Sequence, residues 1–465
     1  MFRAQAIRCF AYISLLTIVA PGCDRSLESD PFDIIITSAA PLEATVDQEY
    51  TYSVTATGYP QPTFSLEEAP EGMTIDEETG QISWLPSSDA AFNSAVVVSA
   101  ANSRLSVSQG FVIQVKGLQI EGWETGSLVS ASIDPDEIWA VADDIKDGAY
   151  HGIKSSLIIR NGRLVFEEYY NGASRNTALN IYSAEKSITS CLMGIAIDSG
   201  LIADAYEPLY EFFPEYDTFS NWSSGKEYMK LVHLITMTSG FELEGTNYDL
   251  WLNNIGPRDW IKFYLDLPLT FYPGTAMDYK SLCDRLAGHV IERQAQIPLP
   301  EFAADHLFNP LGMAYYNWDG WNPVDNSMIS GQLRLRAVDM AKVGQMYLDG
   351  GVWNGNRIVS EEWVTRSTTI YRRNYGYNWW VRTWETPVGE IDVYYAAGNG
   401  GNTIFVFSEL QMIVVFTGDY FVQPDVWDQQ WDILKQRIIP AVDRDSQTRN
   451  NFSSGLSAHG LCSTD

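Results

Sequence analysis

Basic residues are scarce in this chain. Thirty lysines and arginines stand against 59 aspartates and glutamates, a formal net charge of -29, and no basic run concentrates the positive charge. That argues against a nucleic-acid partner, which needs a cationic stripe to displace counterions; the acidic excess reads as a solvated surface. Cysteine is rarer still, at five residues. Cys9 and Cys23 lie at the amino end, Cys191 and Cys283 in apolar helical text and Cys462 in a polar tail. No spacing suggests a disulfide framework or a zinc site, and buried thiols are the expectation. The five histidines show no metal-ligand spacing either, so no metal and no other cofactor is expected.

A long apolar run is missing from the amino end too. Arg3 and Arg8 precede only Phe10–Ala20, too short to cross a bilayer, followed by Pro21-Gly22-Cys23. The pattern is that of a targeting segment over residues 1–23. A small residue before Cys23 resembles a bacterial lipoprotein signal, which implies a lipidated Cys23 as the first mature residue, a membrane contact through that lipid, and a place in the cell envelope. Ala20 and Pro21 depart from the residues such a signal prefers, which leaves ordinary secretion open.

The 465 residues, 45% hydrophobic and 13% aromatic, suffice for two or three domains with a sizeable core. From about residue 31 to 116, short alternating runs such as YTYSVTATG, GQISWLP and SAVVVSA are separated by Pro, Gly and Asn turns, the pattern of an all-β sandwich. Within it, Ala69–Pro86 resembles the immunoglobulin-like and cadherin-like modules of bacterial surface proteins. No aspartate cluster suits calcium, so the module reads as a spacer or an adhesive unit. From 120 to 442 the text mixes α and β. Ser155–Gly172 predicts a hairpin turning at Asn161-Gly162. Ile188, Cys191, Leu192, Ile195, Ala196 and Ser199 mark the buried face of a helix that stops at Gly200. Helical patterns run on to Leu311, and strands return in YGYNWWVRTW, EIDVYYAAG and NTIFVFSELQMIVVFTG, which together predict one sheet flanked by a helical region. Residues 445–465 form a polar tail expected to be disordered.

At the mouth of the first helix, Ser183 and Lys186 fall on one side, within hydrogen-bond reach. Ser-x-x-Lys alone is common: Ser223 and Lys226 match it in a polar stretch with no apolar helix behind, and read as a loop. A serine attacking a carbonyl needs a base, a proton carrier for the leaving atom and donors for the oxyanion. His233 and His289 sit in apolar text without an acidic orienter and read as structural, and no Gly-x-Ser-x-Gly elbow occurs. The lysine must then serve, and burial in an apolar cleft is expected to lower its pKa. Tyr279 and Ser281, after a Pro-Gly turn and before a helix, offer a proton carrier and a polar contact, although Tyr169 with Asn171 and Tyr315 with Asn317 match equally by letters. Gly398, Gly400 and Gly401 either let a substrate approach the backbone or mark a bulge. Tyr248, Trp251, Trp260, Tyr264, Trp379 and Trp380 line an acyl pocket or belong to the core.

The segments SSLIIRNGRLVFEEYY, YSAEKSITSCLMGIAIDSG, LITMTSGF, YPGTAMDY, GQLRLRAVDMAKVGQMYLDGGVWNG and YGYNWW, in that order, resemble the serine β-lactamase and penicillin-binding-protein superfamily. Within it they are most similar to the class C-related hydrolases that include esterases and 6-aminohexanoate-dimer hydrolases. The resemblance covers about Gly122–Ile439 and implies an α/β serine β-lactamase-like fold behind the immunoglobulin-like sandwich. By it Ser183 is the nucleophile, Lys186 its base partner and Tyr279 the tyrosine of the second motif. Ser281 stands where the family usually has asparagine. Asn399-Gly400-Gly401 stands where penicillin-binding relatives carry Lys-Thr-Gly, whose lysine attracts the β-lactam carboxylate, so weak or absent β-lactamase activity is expected. Main-chain amides of Ser183 and Asn402 are the expected oxyanion donors. The expected function is hydrolysis of a small ester or amide through an acyl-enzyme. A cell-wall peptidase acting on D-amino acids and an inactive surface binding protein are the alternatives.

Overall fold

The computed structural model describes residues 33–243, 259–318, 321–322, 327–328, 333–420 and 426–443. Cys9, Cys23, Tyr248, Trp251, Cys462 and the tail from 445 lie outside the described residues. The chain divides into two units, Met1–Val129 and Ser130–Asp465.

In the first unit the alternating runs become two facing sheets. Glu43–Thr45, Ser106–Lys116, Asn93–Ala101 and Thr63–Glu68 form one, in that order; Tyr50–Ser53, Gln81–Trp84 and Thr74–Ile75 form the other. Alternation decides which side chains go inward: Tyr50 and Tyr52 are buried while Thr51 and Ser53 between them are exposed. Ile82, Trp84, Val96, Val98, Ile113 and Val115 complete the core, with Tyr50 edge-on to Trp84 at 6.5 Å between centroids. This is the predicted immunoglobulin-like sandwich.

The second unit is built on an antiparallel sheet of strands β1 (Ile153–Arg160), β2 (Arg163–Tyr169), β3 (Trp380–Thr386), β4 (Gly389–Gly398), β5 (Asn402–Phe407) and β6 (Met412–Gly418). Their order across the sheet is β2-β1-β6-β5-β4-β3. The β1–β2 hairpin turns at Asn161 (φ 52°) and Gly162 (φ 75°), two consecutive left-handed residues as an Asn-Gly turn requires. Four helices matter here: α1 (Pro135–Lys146), α2 (Glu185–Asp198), α3 (Ser281–Ala295) and α4 (Ala337–Leu348).

Both faces of the central strands are covered, which is why β5 and β6 read as unbroken apolar runs. On one face α4 lies so close that a methyl on Gly344 would meet Ile404 and Ile413 at 2.9 Å. On the other, Phe405 and Trp384 pack together at 5.7 Å, and Trp384 reaches Trp431 of the carboxy-terminal helix at 6.4 Å. Helix α2 packs against α3 and against β4. Ile188, Cys191, Leu192, Ile195 and Ala196 are buried as their spacing predicts, whereas Ser199 is exposed because it already caps the helix end.

Candidate active site

Ser183 sits in a single 3-10 turn, Tyr182–Ala184, that leads directly into α2. The turn is held from three directions. Asn180 Oδ1 accepts the Tyr182 N–H at 2.9 Å. The Ile181 N–H donates to Leu333 O at 2.9 Å, and the Leu333 N–H donates to Glu185 Oε2 at 3.1 Å. From the sheet side, the end of β4 presses so closely that a methyl on Gly398 would fall 1.8 Å from Ile181 O. These contacts sustain a left-handed Tyr182 (φ 49°), a conformation that costs a non-glycine residue about 1 kcal/mol or more and shapes the turn that presents Ser183.

One turn on, the Lys186 ammonium donates to Ser183 Oγ at 3.3 Å. Lys186 is buried, whereas Tyr279 is 37% exposed and lies with its ring centroid 5.3 Å from Lys186 Nζ. Trp380 stacks parallel to the Tyr279 ring at 5.8 Å, and Tyr375 meets it edge-on at 6.0 Å. Ser183 and Lys186 from one stretch of the chain and Tyr279 from a distant one thus share one site.

The charge state of Lys186 differs from the sequence expectation. Burial does pull it down, but Tyr279, then Asp284 and Glu185, outweigh burial and leave its pKa raised. The resting lysine is an ammonium. The expectation of a lowered value counted the apolar helix alone; Tyr279 is the largest opposing influence, and two buried carboxylates, one adjacent in sequence and one on α3, add to it.

Ser281 opens α3 at intermediate exposure, two residues beyond Tyr279. Gly400 (φ 80°) and Gly401 (φ 90°) form the left-handed turn between β4 and β5, so glycine is required there by backbone shape. Asn399 is exposed, and its Oδ1 accepts the Gly400 N–H at 2.9 Å. Asn402 is fully buried: its amide donates to Asn399 O at 2.9 Å and Gly418 O at 3.1 Å, and accepts from the Gly418 N–H at 3.3 Å. The Asn402 side chain therefore stitches β5 to β6, and only its main chain is left to serve a substrate.

Other candidates separate from this site. Ser223 and Lys226, expected in a loop, lie at a one-turn helix, Ser224–Glu227, with Lys226 fully buried. Its ammonium donates to Leu265 O at 2.7 Å and Ser220 O at 3.1 Å, and burial lowers its pKa to about 8. Tyr169 bonds to Glu167 on β2, and Tyr315 is exposed ahead of a short strand, Tyr316–Trp318. His233 accepts the Lys230 N–H at 3.1 Å, and burial brings both His233 and His289 to about 4. Trp260, Tyr264 and Trp379 belong to the core; of the described aromatics proposed for a pocket, Trp380 is the one against Tyr279. Among the described residues no three His, Cys, Asp or Glu side chains are grouped to hold a metal ion.

Sequence reasoning missed Asp284 and Asn378. The available signal was a charged residue at position 284 among the apolar positions of α3, and an asparagine inside the aromatic YGYNWW text.

This geometry has relatives. Residues 33–116 match a family model of Ig domains, and residues 146–432 match the family model described as Beta-lactamase. A 6-aminohexanoate-dimer hydrolase of Paenarthrobacter ureafaciens is 25% identical over 220 residues, 45% of this chain. The match spans 55% of that relative, about half its length. Among solved structures, a class C beta-lactamase mutant superposes with a TM-score of 0.54 at 14% identity, over 66% of this chain and 98% of its own. EstCE1, a hydrolase with promiscuous acyltransferase activity, gives 0.51 at 12% identity, over 64% and 96%. At such identities the structural likeness speaks for the fold alone. Because the family model spans well over half of the residues and the fold agrees with it, the chain belongs to the beta-lactamase family.

Proposed function

We propose that the protein is a serine hydrolase that cleaves a small ester or amide through an acyl-enzyme on Ser183. The observation that carries this reading is the 3.3 Å contact between Ser183 Oγ and Lys186 Nζ, with Tyr279 against the same ammonium. In this reading the Lys186–Tyr279 pair first gives up one proton to solvent, which leaves a Tyr279 phenolate beside the Lys186 ammonium; that oxygen takes the Ser183 hydroxyl proton as Oγ bonds to the substrate carbonyl carbon. The ammonium alongside balances the charge that moves through Tyr279. The oxyanion rests on the main-chain N–H groups of Ser183 and Asn402. Collapse breaks the bond to the leaving atom, which receives the proton from Tyr279. Water then repeats the sequence: it yields a proton to Tyr279, bonds to the acyl carbon and expels Ser183 Oγ, which recovers that proton.

Asn399 supports the selectivity. It is neutral, and its oxygen is engaged by Gly400, so the third motif offers no cation to a carboxylate-bearing lactam. The test is the intact mass of the protein lacking residues 1–23 after exposure to a fluorophosphonate, beside Ser183→Ala, followed by rates on nitrocefin and simple esters. One adduct on the parent, none on the variant and nitrocefin at least about 100-fold slower than the best ester are expected. No adduct on the parent would leave a binding protein as the better account.

Residues 1–23 carry a second, separate proposal: export with a lipid on Cys23, supported by the basic, apolar and cysteine-terminated order of that segment. Membrane-associated protein that turns soluble in Cys23→Ser is the expected result; unchanged partitioning would refute the anchor.

A further inference from the structure

Asn378 lies at the crossing of four segments. Its amide donates to Lys186 O at 3.0 Å and to Asp284 Oδ1 at 3.4 Å. Its main chain accepts the Ser187 hydroxyl at 2.7 Å and donates to Ile235 O at 2.7 Å, and its Oδ1 accepts the Tyr375 hydroxyl at 3.4 Å. Asn378 is itself left-handed (φ 59°), a shape that asparagine tolerates better than most residues. Through this side chain the helix that carries Lys186 is tied to the helix that follows Tyr279.

We propose that Asp284 is the positioning residue of this site: fully buried on α3 and tied through Asn378 to the Lys186 main chain, its carboxylate holds the Lys186 ammonium in place against Tyr279. The inference rests on the acyl-enzyme reading of Ser183. Glu185, the other carboxylate near the lysine, is engaged by the Leu333 N–H and secures the start of α2 instead. The charged and titratable groups facing Lys186 and Asp284 are Glu185 from α2, Tyr279 ahead of α3, Cys283 and Arg285 on α3, and Tyr375 from the turn before β3. Burial raises the Asp284 carboxyl, while Lys186, the Thr189 hydroxyl and Arg285 favour its charged form.

Asp284 touches neither substrate nor reacting atoms, so its signature is a pH profile. With its negative charge removed, every proton on the Lys186–Tyr279 pair becomes easier to lose, and both limbs of a bell-shaped profile move to lower pH. The experiment follows the rate of fluorophosphonate adduct formation at Ser183 between pH 5 and 10 in the parent, Asp284→Asn, Asp284→Glu and Thr189→Val. In Asp284→Asn the midpoint is expected to fall by about one pH unit or more. Asp284→Glu is expected to keep the parent midpoint even if its maximal rate drops. Thr189→Val, which removes a hydroxyl from beside the carboxylate without changing shape, is expected to move the profile the same way by less, and it carries the test should Asp284→Asn fail to fold. A folded Asp284→Asn with an unmoved or upward-shifted midpoint, or an unmoved Thr189→Val if that variant alone folds, overturns the assignment and leaves the acyl-enzyme intact. A parent that forms no adduct at any pH overturns both.

Discussion

Lys186→Met is expected to slow labelling of Ser183 by at least about a thousandfold at neutral pH, the scale on which a positioned proton-transfer group contributes. Methionine fills much of the same volume but offers neither the contact to Ser183 Oγ nor the charge beside Tyr279. The substitution also removes the cation whose field favours the charged form of the buried Asp284 carboxyl, and a buried charge that loses its compensation is destabilising. The pH dependence of that cost has a definite sign. Without Lys186 the folded-state pKa of Asp284 rises further above its unfolded value, so stability is retained at low pH, where the carboxyl is protonated, and lost as pH rises. The melting temperature of Lys186→Met should therefore fall between pH 5 and 8 relative to the parent. Adding Asp284→Asn should restore much of the stability but none of the labelling. Labelling within tenfold of the parent would remove Lys186 from the chemistry.

Gly398→Ala should also slow labelling, by about a hundredfold, without altering any group proposed to react. The backbone at Gly398 is not left-handed; glycine is needed for space, because a methyl there would sit 1.8 Å from Ile181 O and 3.1 Å from Ala184 N. Neither atom is the end of a flexible side chain, so β4 or the nucleophile turn must move. Overpacking of this kind costs about 1–3 kcal/mol, and a displacement near 1 Å at a reacting centre costs about a hundredfold in rate. A modest drop in melting temperature with a hundredfold loss of labelling is the expected pair of readings. Unchanged labelling would show that the turn is held by Asn180 and Leu333 alone.

Much of this architecture was legible in the residue order. Asn161-Gly162 announced the first hairpin, since few dipeptides accept two left-handed residues in succession. The periodicity behind Ser183 marked a buried helix, and of the three tyrosines with the same local pattern Tyr279, after its Pro-Gly turn, is the one that lies against Lys186. Asp284 was not legible, because a lone acid within a helix usually faces solvent, and only the packing of α3 against α2 turns it toward Lys186. Lys226 escaped for the converse reason: a polar local sequence suggested a solvated loop, while carbonyls of Ser220 and Leu265, the latter remote in sequence, supply its burial. Asn402 follows the glycine-rich turn directly, but the use of its side chain depends on Gly418, on a strand whose register no local pattern specifies.

The pairing of β1 with β6 has a consequence in time. Ser155 and Thr417, whose hydroxyls meet across these strands, are 262 residues apart in the chain. Ser183 emerges early in synthesis, long before the strand β4 that presses on its turn. Closing so wide a loop is slow compared with forming helices, so for most of the chain's appearance Ser183 lacks the contact that Gly398 makes with its turn. On the acyl-enzyme proposal, the site around Ser183 is complete only once the last of these strands has paired.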